Sequence, residues 1–250
     1  MKIKILFLLF FLFAVKGFAG WYEVYNFLGK IDKFPVTFSL QVRSGYFGES
    51  AKKDYNVVGV YKYDKFNNPI RLEGKFDQKN KRIEVFELDA DGKISASFSL
   101  TLKAKNLSGT WKNNQKQLNV TLQLKDKLSD LANEQFENIE ILQFQTLQDY
   151  YFVGIYKKDS KSEDAVMKDL KIVNKKTNQT FQTLNFDAVE TPTGNLMTII
   201  FDNVSADKTN DFIIFNSYVR VGGYLMVKYN AAKKRFILNP SPIAEGENPN

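Results

Sequence analysis

The side chains that carry most nucleophilic and metal chemistry are missing from this sequence: its 250 residues include no histidine and no cysteine. That removes Ser-His-Asp and Cys-His nucleophiles, imidazole general bases and the usual zinc ligands. It also removes the ordinary proton switch near neutral pH. Acid–base work would fall to carboxylates, and Glu73, Glu84 and Glu87 lie near one another in sequence. Two carboxylates flanking a glycosidic bond are the equipment of a glycosidase. Glu84 and Glu87 are an odd number of residues apart, however, and an extended strand turns them to opposite faces. No enzyme activity is expected, and the chain reads as a recognition protein. Tyr46 and Phe47, in the glycine-containing loop from Ser44 to Ser50, are candidate partner-binding residues, because exposed aromatics anchor interfaces.

The elements that must position these residues are strands. Between Tyr55 and Leu124, apolar residues recur at every second position: Val58 and Val60, Ile70 and Leu72, Ile83 and Val85, then Phe98, Leu100 and Leu102. A period of two is the strand period. Turn-forming stretches separate the runs, and Asp89-Ala90-Asp91-Gly92 reads as a hairpin turn rather than a calcium loop, which would need more ligands. The stretch 56–124 should supply six strands of an antiparallel meander. Gly59, Gly74 and Gly109 fall in or beside these strands, where glycine marks a bulge or the close approach of another backbone. Trp111 is expected in the core. Leu128, Leu131 and Phe136 suggest a short helix or linker over 127–138. A second set of strands follows, with segments at Ile139–Phe144, Tyr150–Tyr156, Val166–Val173, Gln179–Phe186, Leu196–Phe201, Phe212–Phe215, Gly223–Tyr229 and Arg235–Leu238. The expected class is all-β: antiparallel meanders forming one or two sandwich, barrel or propeller-like units, joined by a short helical linker. The units span 21–126 and 139–240, with a mobile tail over 241–250.

Composition narrows the setting. The chain is 44% hydrophobic and 14% aromatic, too apolar for disorder. Lys2 and Lys4 precede an unbroken apolar run from Ile5 to Val15, and Gly17-Phe18-Ala19 supplies small residues at the positions a signal peptidase reads. The run is too short to cross a bilayer, which takes ~20 residues. Residues 1–20 therefore read as a secretory signal, and the mature protein as periplasmic or secreted and not membrane-spanning. Removing those residues takes three lysines and lowers the formal charge from +7 to +4. That mild balance, without a basic run, does not suit nucleic acid. A cysteine-free exported chain must hold itself together by burial, not disulfides, a habit commoner in bacterial periplasmic proteins.

Gly59-x-Tyr61-x-Tyr63, Pro69-Ile70-x-Leu72-x-Gly74 and Gly109-Thr110-Trp111 resemble a module common in exported bacterial β proteins. Gln179-Thr180-Phe181-Gln182, Asn203-x-Ser205-x-Asp207, Asp211-Phe212 and Tyr229-Asn230-x-x-x-Lys234-x-Phe236 are similar to the periplasmic calcium-binding lysozyme-inhibitor and immunity-like family typified by Xanthomonas inhibitors of secreted peptidoglycan hydrolases. In that family's loop, D-x-[DN]-x-D-G-x-x-D, oxygen ligands surround a calcium ion and glycine makes the sharp turn. The resemblance places Asn203, Ser205, Asp207 and Asp211 at its ligand positions. Here two carboxylates remain and Lys208 stands where the glycine would be. Fewer ligand charges weaken calcium binding, and the lysine adds repulsion. The loop is expected to survive as a turn, with no cofactor, calcium being the alternative. The resemblance implies a non-enzymatic periplasmic protein with a protein partner in the envelope, an inhibitor of a peptidoglycan hydrolase or lysozyme. Such inhibitors place a loop in an active cleft, and Arg220 suits one because guanidinium pairs bidentately with catalytic carboxylates. The alternative is a lipocalin-like carrier, with Phe and Tyr lining a cavity for a small apolar ligand. If the signal is processed as expected, intact-mass analysis of the exported protein will find an amino terminus just after Ala19 or Gly20; a mature chain still carrying Met1 would contradict it.

Overall fold

Among the described residues, strands build almost the whole molecule. The computed structural model describes residues 22–43, 55–89, 91–129, 135–159, 165–194, 199–206, 210–218 and 221–244. Eight strands pair antiparallel in chain order: β1 (Tyr22–Ile31), β2 (Phe34–Arg43), β3 (Val57–Tyr63), β4 (Ile70–Asp77), β5 (Arg82–Leu88), β6 (Ile94–Lys103), β7 (Asn106–Lys112) and β8 (Gln117–Ser129). The sheet closes into a barrel where β1 meets β8, from Glu23 opposite Ser129 to Ile31 opposite Val120. Closure leaves no free sheet edge. The six strands expected over 56–124 are β3 to β8.

Alternation sends one set of side chains inward. Along β5, Ile83, Val85 and Glu87 are buried while Arg82 and Glu84 are exposed. At the barrel's centre Phe38, Tyr61 and Phe98 meet in a triangle, each pair of ring centroids 5.4 Å apart. All three rings are fully buried, and burying each contributes ~1.5–3 kcal/mol. Trp111 is buried beside them, as expected. Two inward-facing glycines allow the wall to coil this tightly. A Cβ on Gly74 would stand 2.0 Å from the Glu84 carbonyl oxygen, and one on Gly109 2.0 Å from that of Ser99. Only a bare backbone fits there, the device by which barrels turn corners.

The second unit has two sheets. β9 (Phe136–Thr146), β10 (Tyr150–Lys158), β11 (Val166–Asn174) and β12 (Thr180–Asn185) form the first. A 3-10 turn (Ile200–Asp202) leads to β13 (Val204–Ala206), β14 (Phe212–Tyr218), β15 (Val221–Asn230), β16 (Arg235–Leu238) and β17 (Ile243–Ala244), which form the second. Phe152 and Phe212 join the sheets, ring centroids 4.6 Å apart. Glutamine side chains bridge the gaps between them. Gln182 of β12 accepts from the Phe236 N–H at 2.9 Å and donates to the Phe236 carbonyl at 2.9 Å. Gln143 of β9 accepts from the Asn203 N–H at 3.2 Å and donates to the Ile200 carbonyl at 3.1 Å. Each amide satisfies one buried donor and one acceptor as a strand neighbour would.

The barrel is seated on this unit. Tyr22, Val24, Val60 and Leu128 point out of the barrel into the core around Phe152. Consequently β2 is buried on both faces from Phe38 to Val42. Polar residues fix the register across the junction. Asn26 donates to the Glu140 carbonyl at 2.9 Å, and Asn67 to that of Lys175 at 2.9 Å. Lys62, also buried, donates to Asp64 at 3.0 Å and Asn67 at 2.7 Å while lying 5.1 Å from the Tyr151 ring. Burial, then the charges of Asp64 and Glu140, push the Tyr151 hydroxyl up to about 12.

Three expectations change. Residues 127–129 belong to β8 and 136–138 to β9, so no helix is found where these residues are described. Leu128 pairs opposite Val24 as a strand residue, and the apparent helical spacing came from combining a strand end with the start of the next strand. Ile200–Asp202 is a 3-10 turn and not a strand, because its backbone is bonded by the side chains of Gln41 and Gln143. The tail segment Ile243–Ala244 pairs with Tyr224 and Gly223 of β15. Urea denaturation will separate two kinds of glycine: Gly74→Ala is expected to lose about 3 kcal/mol through its backbone clash. Gly92→Ala, with open space around it but a φ of 75°, is expected to lose only about 1 kcal/mol.

Candidate functional site: a cleft on the outer wall

Outward positions on a barrel strand are normally polar. On β5 and β6 that pattern breaks at Phe86, Leu88 and Ile94, with Ile94 60% exposed. Together with Tyr55, Arg71 and Glu73 they form the barrel side of an open cleft of about 690 Å³. Phe144 of β9 closes the opposite side, so the cleft lies where the two units meet. Junctions of this kind are preferred places for ligand sites.

Arg71 is fixed from three directions. Its Nε donates to Glu73 at 3.2 Å and its Nη1 to Asp202 at 3.0 Å. Its guanidinium carbon lies 5.5 Å from the centre of the Phe144 ring. A planar guanidinium held by two carboxylates and a ring face has lost most of its rotamer freedom in advance. Tyr55 and Phe86 supply a second aromatic surface, centroids 6.3 Å apart. Around this cation lie the carboxylates of Glu73, Asp202 and Asp89 and a second cation, Arg43, which acts on Asp202. Desolvation raises the Asp202 pKa above the usual aspartate value, outweighing the opposing pull of Arg71.

The other carboxylates raised by the sequence are separated. Glu84 faces solvent and pairs with Arg82 at 3.4 Å. Glu87 points into the barrel, where it accepts from the Tyr61 hydroxyl and the Trp111 indole N–H. Burial and then the Glu87 charge hold the Tyr61 pKa well above its ordinary value, so this hydroxyl remains a donor. The two carboxylates stand on opposite faces, as the strand period requires.

Tyr46, Phe47, Arg220 and Asp207 lie outside the described residues. Of the remaining calcium-loop positions, Asn203 is buried, donating to the Gly194 carbonyl at 3.1 Å and to the Tyr156 hydroxyl. Asp211 accepts from the Tyr229 N–H at 3.0 Å, and Ser205 is exposed on β13. Among the described residues no cluster of three or more carboxylate, histidine or cysteine side chains could hold a metal ion. Nor is any described helix long and apolar enough to cross a membrane.

Sequence reading missed the cleft. Its signal was present in the apolar outward positions Phe86 and Leu88, but Ile94 is in phase with inward Ala96 and Phe98 and reaches the outer face through a bulge, and the other wall comes from Phe144, in a different sheet. Comparison with protein families, curated proteins and solved structures returns no significant match for this chain. A raised Asp202 pKa fixes the sign of a pH effect. The unfolded carboxyl ionises first, so the stability contributed by this group is greatest in acid and falls as pH rises above the usual aspartate range. Denaturant midpoints measured from pH 3 to 7 should therefore show wild type losing ground to Asp202→Asn as pH rises; the opposite trend would refute the assignment.

Proposed function

We propose that this is an exported, non-enzymatic binding protein of the cell envelope that engages its partner on the outer wall of the barrel. One observation carries the reading: rings fill the barrel's centre, whereas the cleft beside Arg71 is open and combines apolar surface with a fixed cation. The amino-terminal pattern of Lys2, Lys4 and the Ile5–Val15 run supports export. Inhibition of a peptidoglycan hydrolase is the finer form of this proposal, supported by the sequence resemblance in residues 179–236. The eight-stranded closure is also compatible with a lipocalin-like carrier, but the central ring triangle favours recognition outside the barrel.

The test is retention of envelope components on the immobilised processed protein. Wild type is expected to retain a discrete component that Ile94→Asp, at an exposed position, loses. Retention unchanged by both Ile94→Asp and Phe144→Ala would overturn the outer-wall reading. Inhibition of lysozyme-type hydrolases by wild type and not by Ile94→Asp would support the finer form.

A further inference from the structure

We infer that the outer-wall cleft takes a neutral glycan strand. This inference rests on the outer-wall reading and specifies its ligand. Three features select that chemistry. First, the cleft has an aromatic platform, the Tyr55–Phe86 pair, facing Phe144, whose ring carries the Arg71 guanidinium. Sugar rings present C–H faces that pack on aromatic faces such as that pair. Second, the polar groups are those that bind vicinal hydroxyls. The guanidinium of Arg71 has five N–H donors in a fixed plane, and Nε and one Nη1 N–H are committed to Glu73 and Asp202. Glu73 forms one wall of the cleft and contributes acceptor oxygens close to that donor plane. A hydroxyl both donates and accepts, so it can use adjacent donors and acceptors that a simple anion or cation cannot use together.

Third, charge excludes the commonest ligands of arginine. Glu73 and Asp202 pair with Arg71 and Asp89 adds another acid at the rim, so that even with Arg43 acting on Asp202 the acids outnumber the bases three to two. A phosphate or carboxylate entering here would meet net negative charge. A purely apolar ligand would cover the remaining N–H groups of Arg71, those not given to Glu73 and Asp202, without offering them an acceptor. A volume of about 690 Å³ falls within the range of small-molecule sites, ~300–1,000 Å³. Exposed Ile94 adds apolar surface for a substituent such as an acetamido methyl group.

Titration calorimetry with the N-acetylglucosamine tetramer tests this directly, with tetralysine as a second probe for the acidic rim. The tetramer is expected to bind wild type. Arg71→Ala and Tyr55→Ala should each weaken binding at least tenfold, while Phe66→Ala, on a turn outside the cleft, should not change it. Because Arg71 also bridges the units, Tyr55→Ala is the variant that leaves the junction untouched. No binding of the tetramer, or binding unaffected by Tyr55→Ala, overturns the inference. Tetralysine binding in place of the tetramer, with the same dependence on Tyr55, overturns the glycan assignment while leaving the outer wall as the recognition surface.

Discussion

The triangle of Phe38, Tyr61 and Phe98 constrains everything else in this molecule. Three rings meeting at 5.4 Å fill the middle of a closed eight-stranded barrel. A barrel of this strand number is just wide enough to be filled by side chains or to hold one small ligand, and here the rings fill it. Bare backbone at Gly29 on the β1–β8 seam, and at Gly74 and Gly109 within the wall, lets strands approach too closely for any Cβ. With its interior filled and its edges paired, the barrel has only its outer wall and its ends left for recognition.

The second unit determines which part of that wall stays available. It covers the outer face of β1 to β3, where Tyr22, Val24 and Val60 enter its core. Asn26 and Asn67 set the register of the junction through hydrogen bonds across it, and Lys62 holds Asn67 while lying over the Tyr151 ring. Buried polar groups contribute little net stability, but leaving one unpaired costs ~1–3 kcal/mol, so they disfavour other arrangements of the two units. The cleft forms at the margin of this contact. Arg71 and Glu73 come from the barrel, Phe144 from β9 and Asp202 from the 3-10 turn. Its geometry therefore depends on the junction as much as on the barrel.

Local patterning made much of the barrel legible in the sequence. Alternation placed β3 to β8, the Asp89–Gly92 turn marked a hairpin, and Gly74 and Gly109 marked close approach. Strand period alone also separated Glu84 from Glu87. Long-range pairing was not legible. Nothing near Tyr22 indicates that β1 pairs with β8, about a hundred positions later. Leu128 looked helical because its true neighbour, Val24, lies across the barrel seam. The cleft was hidden for the same reason: Phe86 breaks the outward polar pattern, but Phe144 is unremarkable in its own strand, and the two form a site only after both units have folded and docked. Gln143 and Gln182 look like ordinary polar strand residues, and only the assembled sheets give their amides a backbone to bridge.

Placing recognition on the outside of the barrel is the central claim, and its converse is a ligand among the inward rings. Side-chain NMR of the processed protein during addition of a long-chain fatty acid tests it most directly. The account predicts that the resonances of Phe38, Tyr61 and Phe98 stay where they are in the free protein. Saturable shifts at those three rings would show that the barrel opens to admit a ligand, and would contradict it.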